Sequence, residues 1–90
     1  MKTILVASGT SDNKRKAAVE FIQHYLTEKG LEVAVIGKSI YEVTTIEPEI
    51  DAVVSIGQLS IQPNVPVIDG TPFITSFGRE NCCDSLIEAL

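Results

Sequence analysis

Histidine and cysteine are scarce in this chain, and their few positions exclude the commonest side-chain chemistries. The one histidine, His24, falls in the middle of an expected helix, several turns from Ser8, so it cannot serve that hydroxyl as a general base. The two cysteines, Cys82 and Cys83, are adjacent, which is awkward for a bond between them and gives neither zinc-ligand spacing nor a Cys-x-x-Cys pair. One His and two neighbouring Cys do not supply tetrahedral coordination, so no metal and no cofactor is expected. Basic residues are also few: seven Lys and Arg face twelve Asp and Glu, for a formal charge of −5, which argues against a general nucleic-acid binder. Long apolar runs are missing. No segment reaches the roughly 20 apolar residues of a membrane span, and Ile4 to Ala7 is too short for a signal peptide's apolar stretch, so a cytoplasmic protein without membrane insertion is expected. Low-complexity stretches, long linkers and internal repeats are absent as well, which leaves one domain over residues 1–90, able to bury about 60 to 65 per cent of its unfolded surface.

What is present alternates between short apolar runs and helical or polar segments. Strands are expected at Thr3–Ala7, Leu31–Ile36, Ala52–Ile56 and Val65–Ile68, short and mostly rich in β-branched residues, as in parallel strands covered on both faces. Between the first two, Ala18, Ile22, Tyr25 and Leu26 recur at helical spacing within Lys14–Lys29, with Asp12 or Asn13 as N-cap and Gly30 as the stop. A short helix is expected near Ser39–Val43, a loop or single turn over Gln58–Asn64, and a last helix from Arg79 or Glu80 to the end. Cys83, Leu86, Ile87 and Leu90 share its apolar stripe, while Cys82 is expected to be partly exposed and oxidisable. The order predicts an α/β fold: a small doubly wound, four-stranded parallel sheet with helices on both faces, Rossmann-like or flavodoxin-like, in strand order 2-1-3-4. Ligands of such sheets bind beyond the carboxyl ends of the strands, where Ser8, Gly57 and Gly70 fall.

The segment Ser8, Gly9, Thr10, Ser11, Asp12, Asn13 joins the first strand to the first helix and is the candidate phosphate-binding loop. Unpaired amides at a helix N-terminus, reinforced by the helix dipole, hold phosphate oxygens, and Gly9 permits close approach. The hydroxyl of Ser8 would lie at the mouth of that pocket. The bland alternative is an ordinary turn and helix cap. Two better-known phosphate patterns fail here: Gly9 is not followed by the second Gly and the Lys-Ser/Thr of the nucleotide loop, and Ser8 and Lys14 replace the Cys and Arg of the cysteine phosphatase loop. The run Lys14, Arg15, Lys16 is either a solvated helix face or an attraction for an anion. Glu47, Glu49 and Asp51 read as a solvated acidic loop. In residues 67–78, Gly, Pro and aromatic residues alternate after a strand, which predicts a rigid loop. Phe73 suits a core plug there, and Phe77 beside Gly78 suits partner docking.

Two segments carry a resemblance: Ile4-Leu5-Val6-Ala7 followed by Ser8-Gly9-Thr10, and Gly70, Pro72 and Phe73 with Gly78 beyond. Over nearly its whole length the chain resembles the enzyme IIB component of the sugar phosphotransferase system, of the galactitol type, within the lactose/cellobiose-like IIB superfamily. That family has Cys-Gly-Thr or a close variant where this chain has Ser8-Gly9-Thr10, and Gly-x-Pro-Phe in the second segment. The resemblance implies a phosphocarrier that takes a phosphoryl group from enzyme IIA and passes it to a sugar held by the membrane component, enzyme IIC. It places Ser8 at the position of the phosphorylated cysteine, whether by natural loss or by engineered replacement. A serine hydroxyl is scarcely ionised at neutral pH, and its phosphate ester is a poor onward donor, so the chain as it stands is expected to be impaired. A carrier that docks two partners in turn is expected to be a monomer. The alternatives are a binding or regulatory module on the same fold and a small-anion binding domain.

Overall fold

The computed structural model describes residues 1–9, 11–59, 61–75 and 77–90. Its elements are β1 (Lys2–Ser8), α1 (Asp12–Glu28), β2 (Val33–Ser39), β3 (Ala52–Ile56), β4 (Val67–Asp69), α2 (Pro72–Thr75) and α3 (Arg79–Ala89). The four strands form one parallel sheet in the order β2-β1-β3-β4, a small α/β fold of the Rossmann or flavodoxin kind. β1 and β3 are central and nearly continuous in apolar residues because both of their faces are covered.

The coverage of the two faces differs from expectation. α1, α2 and α3 all pack on the face carrying Ile4, Val6, Val54 and Ile56, where Ala18, Ile22 and Leu26 of α1 meet Cys83 and Leu86 of α3. The opposite face, with Leu5, Ala7 and Val53, is covered by the connections themselves, through Ile40, Val43 and Ile50 and then Leu59, Ile61 and Val65. Those connections cross the sheet without becoming helical. Val43 to Ile46 are β-branched, and Pro48, Pro63 and Pro66 remove donors and block helical continuation. The expected helix near Ser39–Val43 is accordingly replaced: Ser39 ends β2, and two consecutive turns follow, Glu42 N–H to Ser39 C=O at 2.9 Å and Val43 N–H to Ile40 C=O at 3.4 Å.

Ends of elements shift for local reasons. The cap of α1 is Ser11 rather than Asp12 or Asn13, with extended backbone and its Oγ accepting from the Lys14 amide at 3.4 Å. Gly30, at φ +83°, turns the chain out of the helix as expected. β2 starts two residues later than the apolar run suggests, because Leu31 is still bonded to the helix end through Leu26 C=O, and it continues through Gly37 to Ser39. Gly37 lets α1 lie close: a Cβ there would stand 2.9 Å from Val19 Cγ2 and 3.3 Å from Arg15 Cγ. Asp51 is not part of a solvated acidic loop. Its Oδ2 accepts from the Thr3 amide at 2.8 Å while its own amide donates to Thr3 C=O at 2.8 Å, which clamps the entry of β3 to β1. Glu47 and Glu49 do lie exposed.

Candidate phosphate-binding loop and the adjoining cleft

Because α1 returns the chain to β2 on one face and the next connection crosses the other, the carboxyl ends of β1 and β3 flank the point where the winding reverses. Crevices open at such points. Ser8, the last residue of β1, is level with Ser39 of β2 and Ile56 of β3. Side chains alternate along a strand, so Ser8 shares the helix-covered face with Ile4 and Val6. It is only 1 % exposed, and its hydroxyl is therefore sheltered rather than open at a mouth. Its carbonyl accepts from the Ile40 amide at 2.9 Å, which draws the turn after β2 against the end of β1.

The remaining loop residues divide. The Gly9 amide donates to Ile56 C=O at 3.0 Å, so it belongs to the sheet and not to an anion-facing rim. Thr10 lies outside the described residues. Ser11 Oγ takes up the Lys14 amide, which leaves the first helical amides, those of Asp12 and Asn13, without partners inside α1 at an exposed helix start. The Asp12 carboxylate is paired with the Arg15 guanidinium one turn along, and both line a groove of about 360 Å³ with Lys16, Val19 and Gly37 on the β2 side. Lys14 and Lys16 are exposed. His24 is on the outer face of α1, bonded to Glu28 at 2.9 Å, far from the loop in sequence and on another turn.

Tyr41, which sequence reasoning passed over, stands at the same crevice. It is 84 % exposed, and its phenol oxygen would be 4.0 Å from a Cβ placed on Gly9. A tyrosine two residues past the carboxyl end of a strand, where ligands of such sheets bind, is the signal that could have found it.

The segment after β4 behaves as two parts. Phe73, in the single-turn helix α2, packs edge-on against Phe21 with centroids 5.7 Å apart, a core plug as expected. Phe77 is 83 % exposed, and Gly78, at φ +78°, supplies the left-handed N-cap of α3 that a side chain would strain. Cys82 departs from expectation: it is buried, with its thiol donating to Asp69 C=O at 3.4 Å. Burial, and then the Asp69 charge, pushes its pKa up to about 11, and burial pushes Cys83 up to about 12. Neither thiol offers a thiolate at neutral pH.

Near the loop lies a cleft of about 790 Å³ that runs along β4 from Val67 to Thr71 and past the carboxyl end of β3. Ser55 of β3 and its register partner Asp69 of β4 line it side by side with Val67 and Thr71, and the connection after β3 contributes Gly57, Gln58, Leu59, Ile61, Gln62 and Pro63. Gly57 joins cleft and loop: a Cβ on it would be 3.9 Å from the Gly9 nitrogen. Ser55 Oγ donates to Gly57 C=O at 2.7 Å and fixes that bend. Asp69 Oδ1 accepts from the Thr71 hydroxyl at 2.6 Å and the Thr71 amide at 3.0 Å, and these bonds hold its carboxyl below the usual range.

Compared with known protein families and with curated proteins, the chain matches none. Among the described residues no helix is long and apolar enough to cross a membrane, and no three His, Cys, Asp or Glu side chains gather as metal ligands.

Proposed function

We propose that this chain is a phosphocarrier-type domain of a sugar phosphotransferase system, similar to enzyme IIB of the galactitol type, with Ser8 in the position of the phosphorylated cysteine. The observation that carries the reading is the junction of β1 with α1: a hydroxyl residue ends a central strand at the reversal point, and three residues on a capped 17-residue helix presents its first amides. In this reading enzyme IIA is the donor, enzyme IIC presents the sugar, exposed Phe77 and Gly78 contribute to docking, and the domain works as a cytoplasmic monomer. In this reading Ser8 is a poor onward donor, because a serine phosphate ester is far more stable than a thiophosphate.

The test is phosphotransfer to Ser8→Cys from a phosphorylated enzyme IIA of galactitol type. The expected result is a thiophosphate on Ser8→Cys, seen by phosphorus NMR, and none on the unaltered chain. Absence of label from Ser8→Cys, with no amide shifts on adding enzyme IIA, refutes the proposal. A second reading, a binding or regulatory module on the same fold, is favoured by the sheltered Ser8 side chain. It requires docking of enzyme IIA, or of a regulator, without label on either form.

A further inference from the structure

We propose that the cleft along β4 and past the carboxyl end of β3 binds a guanidinium group carried on an aliphatic stem, with the Asp69 carboxylate as its anchor. The inference is independent of the phosphocarrier reading, since no residue of the loop at Ser8 takes part.

Charge and shape lead to this ligand class. The cleft, at about 790 Å³, is within the range of small-ligand sites, roughly 300 to 1,000 Å³. No lysine, arginine or aromatic side chain is among its described lining residues, which disfavours a phosphate and a ring platform for a sugar face. What lines it is one carboxylate, two exposed carboxamides (Gln58 and Gln62), the Thr71 hydroxyl and an aliphatic surface of Leu59, Ile61, Pro63 and Val67. Asp69 is ionised at neutral pH, and both Thr71 bonds fall on its Oδ1, which leaves Oδ2 to accept from a ligand. Four separate acceptors suit the five donors of a planar guanidinium better than the three of an ammonium, which is also harder to dehydrate. The methylene stem covers the aliphatic wall as the head meets the carboxylate.

The probes are Nα-acetyl-arginine methylamide, its neutral isostere Nα-acetyl-citrulline methylamide, and the blocked peptide Gly-Arg-Gly, each titrated into the 15N-labelled chain. Saturable amide shifts confined to Gln58, Leu59, Gln62 and Asp69–Thr71 are expected with the arginine compounds, and the tighter of the two identifies a free ligand or a partner's segment as the source. Loss of the charge-assisted bond should weaken citrulline binding about tenfold. Asp69→Asn, which retains an acceptor for Thr71, should weaken arginine binding similarly while the rest of the spectrum stays unchanged. Equal shifts from arginine and citrulline, or none at tens of millimolar arginine, overturn the proposal. The citrulline comparison uses the unaltered protein and so does not depend on the variant folding.

Discussion

Gly70 offers the sharpest test of the packing that shapes the cleft. It is buried just after β4, where its amide donates to Ser55 C=O at 2.7 Å and its carbonyl accepts from Phe73 at 2.9 Å. A Cβ on it would lie 2.5 Å from Ile56 Cγ1, and 3.0 Å from both Ser55 C=O and Val54 Cγ1. Carbon atoms rest about 3.5 to 4.0 Å apart, so Gly70→Ala must push β4 from β3 by about 1 Å or force Ile56, itself 2 % exposed, into a filled core. Overpacking of this kind costs about 1–3 kcal/mol, and stretching the bond to Ser55 adds up to about 1 kcal/mol. The smaller conformational freedom of alanine in the unfolded chain returns about 0.4–1 kcal/mol. The net expectation is about 2 kcal/mol of destabilisation, read by urea unfolding, with Tm lowered by roughly 8–16 °C for a domain of this size. In an Ile56→Ala background the contact partner is gone, so the alanine penalty should shrink. Gly30→Ala is the control, because nothing lies within 4 Å of its Cβ and only the left-handed backbone, φ +83°, is strained, at about 1–2 kcal/mol. A Gly70→Ala chain as stable as the original, or a penalty undiminished by Ile56→Ala, would refute the reasoning.

Two further outcomes follow from the polar and buried groups. Asp51→Ala removes the acceptor of the Thr3 amide and should cost about 1–2 kcal/mol in urea unfolding, whereas Asp51→Asn, which retains an oxygen, should cost less than half of that. Stability should decline on the alkaline side. Cys82 and Cys83 have folded pKa values raised from 9.0 to about 11 and about 12, so their contribution is complete below pH 9 and is lost as pH rises toward those values. Unfolding free energies at pH 8 and pH 10.5 measure this, and a Cys82→Ala/Cys83→Ala chain should show a flatter profile.

The physics of single segments explains how much was readable beforehand. The 3.6-residue recurrence of Ala18, Ile22 and Leu26 and the β-branched runs of β1 and β3 are local patterns, and they specified a strand–helix–strand unit whose handedness and parallel pairing are nearly forced. Phe73 as a plug and Cys83 as a small core hydrophobe were legible for the same reason. The connections across the second face were not. Ile40, Val43 and Ile50 have no period, and only the folded sheet shows that they cover it as loops.

Local chemistry near the site misled in an instructive direction. Ser8 is a polar residue at a strand end, which reads as accessible, but in the fold it is only 1 % exposed, with the turn after β2 bonded to its carbonyl through the Ile40 amide. Gly9 reads as a donor to a ligand until the register with β3 assigns its amide to Ile56. Asp51 reads as one acid in a solvated run until the pairing with Thr3 gives it a backbone partner 48 residues away.

The amino-acid sequence alone determined the α/β class, the strand order, the long helix and the junction at its N-terminus, because these follow from hydrophobic period, turn residues and the fixed hand of the polypeptide. Tertiary structure decided which side chains that junction shelters, that Asp51 pairs with Thr3, and that Gln58, Gln62, Asp69 and Thr71 face one cleft. Such choices depend on contacts between segments distant in the chain, whose energies are set by packing geometry and not by any local pattern.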